Sequence, residues 1–299
     1  MKKILLSIAL CAVCTAASAQ VLPSLLVNAD PASLGAAGVS ALGSEAFSLQ
    51  GFAANAALMD ATANAGVSYG SWQPKAAGDK LLAGSAAVLL KEKFLLAVEY
   101  KKFTQPTYDV TGATGSQSQV TPTFTPGESS IGFGLGYRLN PGLAAAVTLR
   151  STSSSLGTDA KASVFGVDLS VTYAKDGIRA GAAVCNLGGK VNYGGDDWSQ
   201  PSLFKAGGSY EFIEGLKAGA ELSYLFEGAF GASLGAEYCY ASLVSARAGY
   251  HLGKGDIGIP SYASAGLGLH FAGASLNVAY LLGSDTVGGS LLAGLSYKF

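Results

Sequence analysis

Beyond residue 20 the chain has no uninterrupted apolar run of about 18 residues, the length a membrane-spanning helix needs. Yet 49% of its residues are hydrophobic and its mean hydropathy is +0.34. Apolar side chains on that scale have to be dispersed, and the manner of dispersal decides the fold. From Leu291 to Phe299 every second residue is apolar (Leu291, Ala293, Leu295, Tyr297, Phe299), with Gly294, Ser296 and Lys298 small or polar. Strict period two marks a strand with two differently solvated faces. Fourteen such segments begin near Ala63, Leu81, Lys93, Glu128, Leu143, Lys161, Ile178, Leu203, Leu216, Ala229, Leu243, Ser261, Ala274 and Gly288.

The links between segments alternate in length. Lys91-Glu92, Asn140-Pro141-Gly142, Lys175-Asp176-Gly177, Ile213-Glu214-Gly215, Ala241-Ser242 and Ala272-Gly273 are tight and turn-rich. Most of the others are longer, as at 104–127 and 188–202, although Glu227-Gly228 is brief. Short periplasmic turns, longer outside loops and an even strand number describe a bacterial outer-membrane barrel. The expected fold is therefore all-β: a 14-stranded antiparallel transmembrane β-barrel over residues 63–299, with both of its ends in the periplasm.

The two faces of the segments separate cleanly. One set, including Ile131, Phe133, Leu135, Tyr137, Phe230, Leu234 and Tyr238, is assigned to lipid, with tyrosines at the interface. The other carries the strand charges, among them Glu99, Arg138, Arg150, Asp168, Arg179, Lys217, Glu221, Glu237 and Arg247. A charge at the lipid midplane costs roughly 2–4 kcal/mol, so these residues face the lumen. Their inward neighbours are often Gly or Ser, which leaves room for an occupant.

The start of the chain reads differently. Met1-Lys2-Lys3, the apolar run Ile4–Val13 and Ala17-Ser18-Ala19 have the layout of a secretory signal peptide, residues 1–19. Residues 20–62 are rich in Ala, Gly and Ser with irregular Leu and Val, which predicts short helical turns and loops. This segment is the expected occupant, a small N-terminal hatch inside the lumen. Cys185 and Cys239, the cysteines outside residues 1–19, are expected as free inward thiols near opposite rims.

Two resemblances bear on function. A strand ending on Phe299, with Tyr297 two residues before it, resembles the C-terminal strand of bacterial outer-membrane barrels. That resemblance implies a signal read by the barrel-insertion machinery. Leu22-Pro23, Leu25-Leu26, Ala29-Asp30-Pro31, Leu34-Gly35 and Gly38-Val39 resemble the start of PorV/PorQ-like proteins. These belong to the class of barrels related to the long-chain fatty-acid transporter of outer membranes. The glycine cluster is thinner here, Gly35-Ala36-Ala37-Gly38, and the family's Asn-Pro-Ala is replaced by Ala54-Asn55-Ala56-Ala57. The resemblance implies a cell outer-membrane location, a hatch containing Asn28, Asp30, Pro31, Gly35, Gly38, Phe47, Phe52 and Asn55, and no cofactor. It implies either a part in type IX secretion, with secretion-system proteins or cargo as partners, or hatch-gated passage of a hydrophobic or amphipathic molecule bound under Phe47 and Phe52.

Other classes fit poorly. A net charge of −1 without a basic tract argues against nucleic acid. His251 and His270 are the only histidines, and strand parity sets them on the order of 20 Å or more apart. They do not share a metal, and neither stands beside an evident nucleophile and acid, so no catalytic or metal site is expected. Asp196-Asp197 reads as a solvated loop tip. Asp30, buried in the hatch, is expected within reach of Arg138, Arg179 and Lys217.

Overall fold

The computed structural model of the protein describes residues 21–43, 59, 61–109, 123–157, 160–254 and 258–299. In chain order the strands are β1 (Ala63–Trp72), β2 (Asp79–Leu90), β3 (Phe94–Thr104), β4 (Tyr108–Asp109), β5 (Thr123–Phe124) and β6 (Gly127–Asn140). There follow β7 (Leu143–Ser155), β8 (Lys161–Lys175), β9 (Ile178–Gly188), β10 (Lys190–Asn192), β11 (Asp197–Ser199) and β12 (Leu203–Ile213). The last six are β13 (Leu216–Leu225), β14 (Ala229–Tyr240), β15 (Val244–Gly253), β16 (Tyr262–Phe271), β17 (Ala274–Leu282) and β18 (Leu291–Lys298).

Fourteen of these form one closed antiparallel barrel, while β4–β5 and β10–β11 pair as separate ribbons. Strand starts follow the alternation closely. The largest offset is at β18, expected from Gly288 and found from Leu291, because 284–290 is folded back by the Gly288 N–H to Ser284 carbonyl bond of 3.0 Å. Tight hairpins fix the register at the end of the barrel where β1 begins and β18 ends. Lys91-Glu92, Asp176-Gly177, Ala241-Ser242 and Ala272-Gly273 all take positive φ at both positions, the twist that matches a right-handed strand pair. β1 and β18 pair from Asn64 against Lys298 to Ser71 against Leu291, and the Phe299 N–H donates to the Ala63 carbonyl at 2.8 Å. Closure removes the sheet edges, which hydrocarbon does not tolerate.

The wall has the expected two faces. Phe133, Leu135, Leu149 and Leu234 are more than half exposed, whereas Glu99, Arg150 and Asp168 are almost wholly buried inside. Residues 21–43 form a 3-10 turn (Pro23–Leu25), a one-turn helix α1 (Pro31–Gly35) and a second 3-10 turn (Ser40–Leu42). The Asp30 carboxylate caps α1 on the Ala32 N–H at 2.9 Å and Pro31 opens it, both favoured choices at a helix start. This segment supplies the apolar core. Val27, Leu34 and Ala37 pack with Trp72, Leu81, Phe103 and Leu281. Val39, Ala41 and Leu42 pack with Cys185, Leu203 and Leu225, and Leu22 and Leu25 with Val164 and Val191. Each fully buried leucine or valine contributes roughly 1.5–3 kcal/mol, so the interior of the barrel is held from within.

Candidate functional site: the occupied lumen

A belt of small residues crosses the inner wall in register. Ser209 pairs Gly219, Gly219 pairs Gly235, Gly235 pairs Gly249, and Gly249 pairs Ser264. Across the four glycine and serine junctions from β12 to β16 the wall presents bare backbone. Residues 35–41 lie along it. A Cβ added to Gly235 would stand 2.4 Å from the Ala36 carbonyl oxygen, and one on Gly249 would stand 2.7 Å from Ala36 C. No side chain fits there. The serines at the two ends of the belt hold the segment: Ser264 Oγ donates to the Gly35 carbonyl and accepts from the Ala37 N–H, both at 2.9 Å, and Ser209 Oγ donates to the Ala41 carbonyl at 3.2 Å.

Elsewhere charged and hydroxyl groups hold the same segment by its main chain. The Glu128 carboxylate accepts from the Ser24 N–H at 3.1 Å, Lys101 Nζ donates to the Val27 carbonyl at 3.1 Å, and Ser68 Oγ donates to the Ala29 carbonyl at 2.7 Å. Glu221 accepts from the Ser40 N–H at 2.8 Å and is paired with Lys205 Nζ at 3.2 Å. Sequence reasoning passed over Ser68, Ser209, Ser264, Lys101 and Glu128 as holders of the segment. The signal available was an inward-parity serine at each end of a glycine row.

The remaining lumenal charges form two clusters. Arg150 Nη1 donates to Asp168 at 2.9 Å and to Asn186 Oδ1 at 3.3 Å, and its other nitrogen lies 3.8 Å from Glu99. Asn186, at φ 58°, returns its N–H to Asp168 at 2.7 Å. Nearer the tight hairpin turns, Glu237 sits between Arg247 and Lys217, and Arg247 also reaches Asn277 at 2.9 Å.

Two cavities flank the segment. The outer one, about 90 Å³, is lined by Leu26, Leu34, Trp72, Leu225, Ile259 and Tyr262, with Asn28, Lys205, Glu221, His251 and Lys254 among its polar members. The inner one, about 160 Å³, is polar and lies beneath Ala32, Ala41, Leu42 and Gly43, with Arg179, Lys217, Glu237, Arg247 and Lys298 around it.

Each candidate residue can now be placed. Asn28 lines the outer cavity and braces α1, Oδ1 accepting from the Asp30 N–H at 2.9 Å and Nδ2 donating to Ser33 Oγ at 2.8 Å. Gly38 takes φ 83° beside the Tyr262 hydroxyl, and Gly35 abuts Gly266. Phe47, Phe52 and Asn55 lie outside the described residues. Of the cations expected near Asp30, Arg138 donates to the Met59 carbonyl at 3.1 Å, Lys217 stands 3.8 Å from Glu237, and Arg179 lines the inner cavity. Tyr297 and Phe299 are lipid-exposed and meet edge to face at 4.7 Å. His251 bonds Ser233 and stacks on Tyr262, whereas His270 lies between Ser245 and Ser275. Asp197 accepts from Asn192 within the β10–β11 ribbon. Among the described residues no group of three His, Cys, Asp or Glu is placed to hold a metal.

A closed antiparallel wall with an apolar outer band, a charged lumen and the chain's own N-terminal segment lying across it defines an outer-membrane β-barrel of the occupied-lumen kind. Solved structures agree on the fold. The toluene transporter TodX of Pseudomonas putida superposes with a TM-score of 0.61 at 14% identity, covering 92% of this chain and 99% of that one. A deltaS2 mutant of the TodX monoaromatic hydrocarbon channel gives 0.60 at 14% identity, covering 90% and 98%. The model of the family "Type IX secretion system protein PorV" matches residues 12–224, and the chain belongs to that family. No curated protein matches it.

Proposed function

We propose that this protein serves type IX protein secretion from the outer membrane as a non-enzymatic barrel, with secretion-system proteins or secreted cargo as its partners. The observation that carries the reading is the family match across residues 12–224. In this reading residues 1–19 export the chain, residues 20–62 form the hatch and residues 63–299 the barrel. Tyr297 and Phe299 address the chain to the insertion machinery. Asn28, Asp30, Pro31, Gly35 and Gly38 keep the hatch in its path, and the lumenal charges hold it to the wall. A lumen filled in this way supports work through surfaces and partners rather than bulk diffusion of solutes. Purification from native membranes in mild detergent tests the reading: partner proteins should be retained. Retention of lipid-like small molecules alone would overturn it.

A second reading, hatch-gated passage of a hydrophobic or amphipathic molecule, is favoured by the outer cavity. Its apolar lining carries a few convergent polar groups, the usual make-up of a small-molecule site, and its barrel has the fold of a toluene transporter.

A further inference from the structure

One sector of the wall is taller than the rest. β6, β7 and β8 run for 14, 13 and 15 residues, whereas β16, β17 and β18 have 10, 9 and 8. The surplus is at the end away from the tight hairpins. β9 pairs β8 only as far as Gly166; above it the Phe165 carbonyl accepts from the Gly189 N–H at 3.3 Å and from Gln200 Nε2 at 2.9 Å.

The outward face of this sector changes character with height. One register row runs Tyr100, Ile131, Ser151 and Phe165, and its three apolar members are all lipid-exposed. The row above it is Leu82, Lys102, Ser129, Ser153 and Ser163, polar from β3 to β8. The next is Lys80, Thr104, Gly127, Ser155 and Lys161. The three lysines are exposed, and neither polar row contains an Asp or Glu. The Ser153 and Ser163 hydroxyls are hydrogen-bonded at 2.9 Å. A shallow cavity of about 530 Å³ opens between Lys102, Ser129, Ser153 and Lys161. On the opposite side of the barrel the apolar face continues to the strand tops, at Tyr224, Phe230, Leu252 and Leu291.

We infer that this sector docks the anionic sugar-phosphate headgroup of an outer-leaflet lipid. Three lysines answer phosphate: among the described residues the two rows hold no Asp or Glu, and Glu128, which also lines the cavity, is buried and accepts from the Ser24 N–H. The serine and threonine hydroxyls between them answer sugar hydroxyls, each able to donate and accept. The row directly beneath, apolar between β3 and β8 except at Ser151, is continuous with the lipid-facing band, so acyl chains attached to the same headgroup run down over Phe165, Tyr100 and Ile131. That continuity selects a lipid over a soluble anion. The inference rests on the outer-membrane reading in which both chain ends face the periplasm.

The test uses the full chain in mild detergent and native mass spectrometry, with diphosphorylated lipid A, its dephosphorylated form and inorganic phosphate as probes. The wild type should retain the diphosphorylated lipid. Replacing all three lysines (Lys80→Ala, Lys102→Ala, Lys161→Ala) should weaken retention about a hundredfold, at the contribution usual for a lysine facing an anionic membrane. Lys91→Ala with Lys175→Ala, on the opposite turns, should not. Equal retention by wild type and triple variant, equal binding of the dephosphorylated lipid, or full displacement by inorganic phosphate would each overturn the inference. Labelling of Lys161→Cys on intact cells with a membrane-impermeant maleimide reports orientation separately. No labelling there would sink the membrane reading itself, whatever the lipid result.

Discussion

Gly35 of the N-terminal segment and Gly266 of β16 pass so closely that a Cβ on either would stand 2.9 Å from the other's Cα. The seat is formed by the absence of side chains on both partners. Gly266→Val therefore forces the segment off the wall, at an overpacking cost of about 1–3 kcal/mol. The outward face of β16 is untouched, so the barrel should still insert. Proteinase K should then cut within 21–43 in the variant and spare that stretch in the wild type. Equal protection would show that the seat is not tight.

Removing the segment altogether asks a different question. Deletion of Val21–Ala57 leaves the strand alternation and Phe299 in place, so a membrane-inserted barrel is expected. Its lumen, lined by Glu99, Arg150, Glu221 and other polar groups, should fill with water. Single-channel recordings in planar bilayers should give large steady conductance for the deletion and little for the full chain. Equal, large conductance in both would mean that the segment does not block the lumen.

Glu221 joins wall to segment, accepting from the Ser40 N–H and facing Lys205. Glu221→Leu strands the Lys205 ammonium in a mostly buried place, a loss of roughly 3–5 kcal/mol. Lys205→Met with Glu221→Leu removes both charges and should recover most of that. Urea midpoints of the folded barrel, read by heat-modifiable gel mobility, give the double-mutant cycle. Additive single losses would show that the two groups do not act as a pair.

The C-terminal aromatics carry the insertion expectation. Phe299 spends its backbone N–H on closing the barrel and leaves its ring in lipid, 70% exposed. Phe299→Ala keeps the closing bond, so any fall in outer-membrane yield comes from recognition rather than closure. Fractionated membranes should hold several-fold less variant than wild type, with the shortfall in the periplasm.

Neither Cys185 nor Cys239 forms a disulfide, and their strands are not neighbours. Alkylation without reductant should modify both after denaturation. In the folded protein Cys239 should react first, because Cys185 is fully buried. A 185–239 crosslink in a non-reducing peptide map would contradict the register.

Much of this architecture was legible because a strand repeats its environment every two residues. Ile131-Phe133-Leu135 against Gly132-Gly134-Gly136 announces its faces without any knowledge of partners, and tight links such as Asp176-Gly177 announce the hairpins. The path of residues 21–43 was not legible. Its bonds run from side chains of the wall to main-chain groups of the segment, as with Lys101 to the Val27 carbonyl and Glu128 to the Ser24 amide. Main-chain groups are the same in every residue, so the segment itself carries no mark of where it is held. The height of the β6–β8 sector was hidden for a related reason: alternation sets facing, not how far a strand rises above its neighbours.

That way of holding the segment has a consequence for divergence. The wall recognises a course of amides and carbonyls, so the N-terminal sequence is free to drift so long as it stays small or apolar where it is enclosed and carries nothing larger than alanine opposite Gly235 and Gly249. The wall has no such latitude. Between relatives of this barrel, Ser209, Gly219, Gly235, Gly249 and Ser264 should change together or not at all, while the residues that rest on them turn over one by one.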